Sequence, residues 1–109
     1  MPFPLRLGPV QIPTSIATLK TFPQIYRLTD VLLVNTSGTD QIVKVHLVPI
    51  GGTATADNEI VHALTRSNDT LPLQINVPVA QGEFLRYVSA GSGVNIIITY
   101  TDEKPMGGL

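Results

Sequence analysis

The sequence contains no cysteine and no tryptophan, and only 14% of its 109 residues are charged. The absence of cysteine excludes a disulfide-stapled scaffold and thiol chemistry, and removes the ligand on which most structural zinc sites depend. Seven basic residues stand against eight acidic ones, for a net charge of −1, and lysine and arginine nowhere gather into a cluster. The electrostatic footprint of a nucleic-acid binder is therefore missing. No apolar run approaches the ~20 residues of a membrane helix. The opening residues Met1 to Arg6 lack the basic segment and long apolar core of a signal peptide. No window of eleven or more residues places its apolar positions at helical spacing. The charged share lies well under the usual level of about 25%, and Thr, Ser, Asn and Gln stand where a free monomer carries Lys, Glu, Arg and Asp. Two readings stay open: a surface partly covered by partners, and an ordinary uncharged β-sandwich.

What the sequence does have is alternation. Val31 to Val34 is an apolar run; a polar cluster from Asn35 to Asp40 follows, and then a second run in which Val43, Val45 and Leu47 alternate with Ile42, Lys44, His46 and Val48. This predicts two antiparallel strands joined by a short turn, since residues two apart in a strand share a face. The same pattern predicts strands over 15–21, 25–35 (with a bend near Thr29-Asp30), 41–48, 59–65, 70–77, 84–89 and 94–101. Pro72 places the 70–77 strand at a sheet edge, and Gly82 is suited to a positive φ in the turn before Phe84. The two Asn-x-Ser/Thr triplets, at Asn35 and Asn68, read as turn chemistry. Seven to eight short strands with turns every 8–12 residues imply an all-β fold, an antiparallel β-sandwich or jelly-roll-like domain.

Residues 1–13 hold Pro2, Pro4, Pro9 and Pro13 together with Phe3, Leu5, Leu7, Val10 and Ile12. Proline lacks a backbone donor, so a central strand is excluded there. The segment reads as an extended apolar arm, laid either on its own domain or on a neighbouring subunit. The expected organisation is arm 1–13, sandwich 14–101 and flexible tail 102–109.

Candidate chemistry is thin. His46 and His62 fall on separate strands, where they can meet across a sheet near Asp57 or Glu59; two histidines without cysteine fall short of a zinc set and read as polar-face residues. Asp57-Asn58-Glu59 lacks the spacing of a calcium loop. Ala90-Gly91-Ser92-Gly93 superficially resembles a nucleophile elbow, but strands flank it on both sides. Gly51-Gly52-Thr53 lacks the lysine and helix of a phosphate loop. Phe84 and Tyr87 point to opposite faces of one strand, so at least one belongs to the core. No catalytic, cofactor or metal residues are expected, and the chain reads as no enzyme.

The wording VLLVNTSGTDQIVKVHLVPIGGTA, around 28–53, and NDTLPLQINVPVAQGEFLRYVSAGSGVNIIITY further on resemble a family of small tailed-phage virion proteins. The resemblance covers roughly residues 14–101. The chain departs from the pattern in its longer, proline-rich N-terminal arm and in Gly82-Glu83, where Gly-Asp is common. The resemblance implies a non-enzymatic β-sandwich structural protein located in the virion. The role expected first is head decoration or cement, bound to other virion proteins such as the major capsid or a tail protein. A homo-oligomer is expected, a trimer ahead of a dimer, with no nucleic acid, membrane or cofactor. A tail, collar or baseplate accessory is the next expectation. A carbohydrate-binding module for host surface glycans is a further one, resting on Phe3, Phe22, Tyr26, Phe84, Tyr87 and Tyr100. The residues expected to carry assembly are Phe3, Leu5, Leu7, Val10 and Ile12, on an arm separable from the fold.

Overall fold

In the computed structural model, residues 4–103 are described, and they form eight strands in two four-stranded antiparallel sheets: β1 (Pro4–Gln11), β2 (Ala17–Thr21), β3 (Tyr26–Asn35), β4 (Gln41–Val48), β5 (Glu59–Thr65), β6 (Asp69–Val79), β7 (Phe84–Ser89) and β8 (Val94–Asp102). One sheet has the order β1-β8-β3-β6 and the other β2-β7-β4-β5. The pairing follows a simple rule. β4 pairs with β5, β3 with β6, β2 with β7 and β1 with β8, all antiparallel. The chain is thus one long hairpin, folded across itself so that β3 also meets β8 and β4 also meets β7. That nesting in two sheets is a jelly roll, the architecture expected from the strand count and turn spacing.

The core lies between the sheets. Inward positions of the central strands are closed to solvent: Leu28, Val31 and Leu33 on β3, Val94, Ile96 and Ile98 on β8, Val43 and Val45 on β4, and Leu85 on β7. One feature of the alternation is set by tertiary structure. In β3 the inward residues are Tyr26 and Leu28 before Thr29, and Val31, Leu33 and Asn35 after it. Register against β8 slips between Leu28 and Asp30, so Thr29 is an extra residue there, and its hydroxyl donates to the Thr99 carbonyl at 3.1 Å. Inserting one residue reverses which parity faces the core. The expected bend near Thr29-Asp30 is this bulge.

One end of the sandwich is filled by Phe22, Tyr26 and Tyr100, with ring centroids 5.2–5.8 Å apart and mostly edge-to-face. Gly82 closes the adjacent turn at φ 89°, as expected, and donates to the Phe22 carbonyl. At the opposite end Asn35 is 1% exposed and fully bonded: its Nδ2 donates to the Thr39 and Thr65 carbonyls, and its Oδ1 accepts from the Ser37 amide and hydroxyl. Asn35 lies on one sheet and Thr65 on the other, so a single amide pins the two sheets together and satisfies the β3–β4 turn.

Residues 1–13 correct the expected division of the chain. Over Pro4–Gln11 they form β1, an edge strand in register with β8 from Pro4 opposite Thr101 to Gln11 opposite Asn95. Of the two placements open for an arm, the described part takes its own domain. Proline is tolerated because an edge strand leaves half its donors unneeded, and the register shift between Leu7 and Val10 accommodates Gly8-Pro9. Gly8 sits at φ 87°, and a Cβ there would collide with the Ile96 carbonyl oxygen. At the other end β8 continues through Asp102, and Glu103 bonds to Ile25 and to the Arg27 side chain. The sheet thus reaches into the first residues of the expected tail.

Candidate interaction surfaces

Both histidines singled out in the sequence have structural partners. His46 is 6% exposed on the outward face of β4, because residues 49–58 fold back over it. Its Nδ1 faces the Thr55 carbonyl at 2.9 Å and Asn58 Oδ1 at 3.1 Å. Both are acceptors, which places the proton on Nδ1. Asn58 ties the same loop together: its Oδ1 accepts from the Thr55 amide and its Nδ2 donates to the Thr53 carbonyl. Glu59 lies between the two histidines, 2.6 Å from His62 Nδ1 and 3.9 Å from His46 Nε2. The two histidines thus flank one carboxylate, hydrogen-bonded to His62 alone, while the loop is anchored by His46 Nδ1. Among the described residues, no group of three or more His, Cys, Asp or Glu side chains is arranged to hold a metal ion.

Asp57 and Asn58 lie in a single 3-10 turn (Ala56–Asn58). Ser92 sits in the β7–β8 turn. Two surface depressions, one lined by Leu64, Arg66, Asp69, Thr70 and Leu71 and one around Asn35 and Asn68, enclose about 100 and 180 Å³. These fall below the roughly 300–1,000 Å³ of small-molecule sites.

The aromatics expected to serve a glycan platform are spent elsewhere. Phe22 is fully buried, Tyr26, Tyr87 and Tyr100 are 7–9% exposed, and Phe84 is half-buried; Phe3 lies outside the described residues. A sugar-stacking face needs exposed rings, so the described residues do not supply one, and the carbohydrate reading loses its footing.

The five residues expected to carry assembly divide. Phe3 lies outside the described residues. Leu7 and Val10 pack against the core from β1, and Ile12 is 1% exposed just after it, its amide bonded to the Val94 carbonyl. Leu5 keeps 39% of its surface. The inward residues of β1 are thus committed to the chain's own core, which the sequence did not reveal because the same apolar spacing serves a neighbour's sheet equally well.

What the sequence reading missed is the outer surface. Ile42 and Leu64 lie directly opposite one another on β4 and β5, 43% and 50% exposed, and Ile50 stands 78% exposed at the loop tip. On the other sheet Leu32, Val34 and Ile97 point outward, half-buried, with Leu32 between Ile97 and Pro72. The uncharged β-branched runs carried that signal: Val31 to Val34 and Ile96 to Ile98 are apolar on both parities.

No family model matches the chain, and no curated protein matches it. Solved structures do. A chain from the T13 viral particle of infectious bursal disease virus aligns over 92% of this chain at a TM-score of 0.55 and 12% identity. A chain of Bacillus endospore appendages, described as disulfide-linked pili, aligns over 93% at a TM-score of 0.52 and 11% identity. The chain spans about a third of the viral-particle chain (31%) and most of the appendage chain (82%). At such identity the likeness is one of fold: this jelly roll is similar to domains found in a virus particle and in a pilus.

Proposed function

We propose that this chain is a non-enzymatic structural subunit of a tailed-phage virion, a head decoration or cement protein that binds neighbouring capsid subunits. The observation that carries this reading is the use of its polar chemistry. Asn35, His46, Asn58 and Ser89 all close turns, loops or sheet contacts. The outward faces meanwhile carry apolar residues and few charges. Such a surface suits many weak, repeated contacts, which a symmetric assembly multiplies. The similarity in fold to domains of a virus particle and of a pilus supports the structural role, and the tailed-phage assignment rests on the sequence resemblance. Leu5 at the open end of β1 remains accessible for contact with a shell.

The test is location. Labelled protein is added to purified phage heads and to tails, and bound copies are imaged by electron microscopy. Saturable density repeated over the head lattice is the expected result. Density confined to the tail, collar or baseplate supports the accessory role instead, and no saturable binding to either overturns the proposal.

A further inference from the structure

The four free sheet edges are not alike. β1 carries Pro4 and Pro9 and a break in register, and β6 carries Pro72 and Pro78. β2 is five residues long and slips register between Thr18 and Lys20. Prolines, bulges and shortness are the means by which edges are kept from pairing with other chains. β5 is seven residues long and lacks proline; its one register shift, at Ile60, lies at its start, and from Val61 to Thr65 it runs in unbroken register with β4. Beside this edge stands the most exposed apolar pair on either sheet face, Leu64 and Ile42.

We infer that β5 is a self-association edge, and that a second copy of this chain pairs with it antiparallel about a two-fold axis, joining two four-stranded sheets into one of eight strands. Charge selects this occupant and this direction. Asp57 and Glu59 lie at the start of β5 and Arg66 just past its end. Neither Asp57 nor Arg66 has an ion-pair partner among the described residues. Antiparallel pairing of the strand with itself sets Arg66 against Asp57 and Glu59 of the partner subunit, and does so twice; parallel pairing would set like charges together. That register puts His62 at the two-fold axis and Leu64 beside the start of the partner's β5. A two-fold contact uses one surface twice, whereas a ring of three needs two different surfaces that fit. With proline or shortness at the other three edges, a pair is expected in place of the trimer suggested by the sequence.

The inference does not rest on the virion reading, since the pair forms in solution without a particle. Sedimentation velocity across a concentration series of the full chain is expected to show a monomer–dimer equilibrium. Leu64→Lys changes an exposed side chain and is expected to weaken the dimer by at least about tenfold while the thermal melt stays unchanged. Because the chain has no cysteine, single-cysteine variants report proximity directly. His62→Cys is expected to give a disulfide-linked dimer on mild oxidation, and Gln74→Cys on β6 and Thr18→Cys on β2 are not. A monomer at every concentration, a trimer or open filament, or cross-linking confined to the β6 or β2 controls overturns the inference.

Discussion

At the scale of single residues, two buried polar groups decide where the sandwich is vulnerable. Asn35 gives both amide protons and its carbonyl oxygen to backbone and hydroxyl partners in a site closed to solvent. Replacing it with alanine strands those partners, and leaving buried groups unpaired costs about 1–3 kcal/mol. Asn35→Ala is therefore expected to lower stability by about 2–3 kcal/mol, read from urea denaturation. Asn35→Asp keeps the size but puts a carboxylate oxygen where Nδ2 faced the Thr39 and Thr65 carbonyls, and is expected to cost more than alanine at neutral pH. Equal losses would show that the hydrogen-bond donors are unimportant. Tyr100 gives a pH signature. Its phenol is raised above the usual value near 10, first by burial and then by the neighbouring Tyr26. Between the unfolded and folded values the native state holds a proton that the unfolded chain has lost, so stability is full below about pH 10 and falls as pH rises through the folded pKa. Tyr100→Phe is expected to flatten that alkaline decline in a series of melts from pH 8 to 11. An unchanged slope would remove Tyr100 as its source.

At the scale of elements, β1 is where the reading as an arm and the structure part company, and the difference is measurable. An arm separable from the fold is removed without loss of stability. β1 instead covers the edge of β8 and supplies Leu7, Val10 and Ile12 to the core. Burying one such side chain contributes about 1.5–3 kcal/mol, and domains of this size hold only about 5–15 kcal/mol in total. Deleting residues 1–12 is therefore expected to abolish the cooperative melt and to expose Val94 to Tyr100, rich in β-branched residues, as an aggregation-prone edge. A truncated chain with an unchanged melting temperature would restore the arm. Elsewhere the elements were legible to the residue: the alternation predicted 41–48, 59–65 and 84–89 with the bounds of β4, β5 and β7. In each, alternating apolar residues stop at Gly, Asn, Asp or Pro, so strand and turn signals agree. β1 was hidden because its prolines speak against a strand unless one knows that it lies at an edge. The parity change at Thr29 and the burial of His46 were equally hidden, since each depends on residues distant in sequence: β8 for the bulge, Thr55 and Asn58 for the histidine. The outward pair Ile42 and Leu64 was present in the alternation, but only the pairing of β4 with β5 sets them side by side.

At the scale of the whole molecule, the pairing rule itself carries a prediction. Every strand pairs with its counterpart counted from the other end, so the fold is nested about the β4–β5 connection, and Pro4 at the start of β1 lies opposite Thr101 near the end of β8. If the ends are joined by a short flexible linker and the chain is opened between Gly51 and Gly52, the new strand order begins at β5 and ends at β4. Its pairs are again nested, with β8–β1 now the inner hairpin and β5–β4 the outer pair. The opened turn is held by one backbone bond, from the Gly52 amide to the Pro49 carbonyl, and the loop residues that cover His46 stay attached to β5. Folding speed in such domains follows the mean sequence separation of contacts, and this permutation exchanges the inner and outer pairs of one nested pattern for those of another. The permutant is therefore expected to fold cooperatively to the same structure, with a refolding rate within about tenfold of the original by stopped-flow fluorescence of its tyrosines. A permutant that folds far more slowly, with native stability retained, would show that the β4–β5 hairpin has to form first. A permutant that cannot fold would show that this connection, and not the nested pairing, specifies the jelly roll.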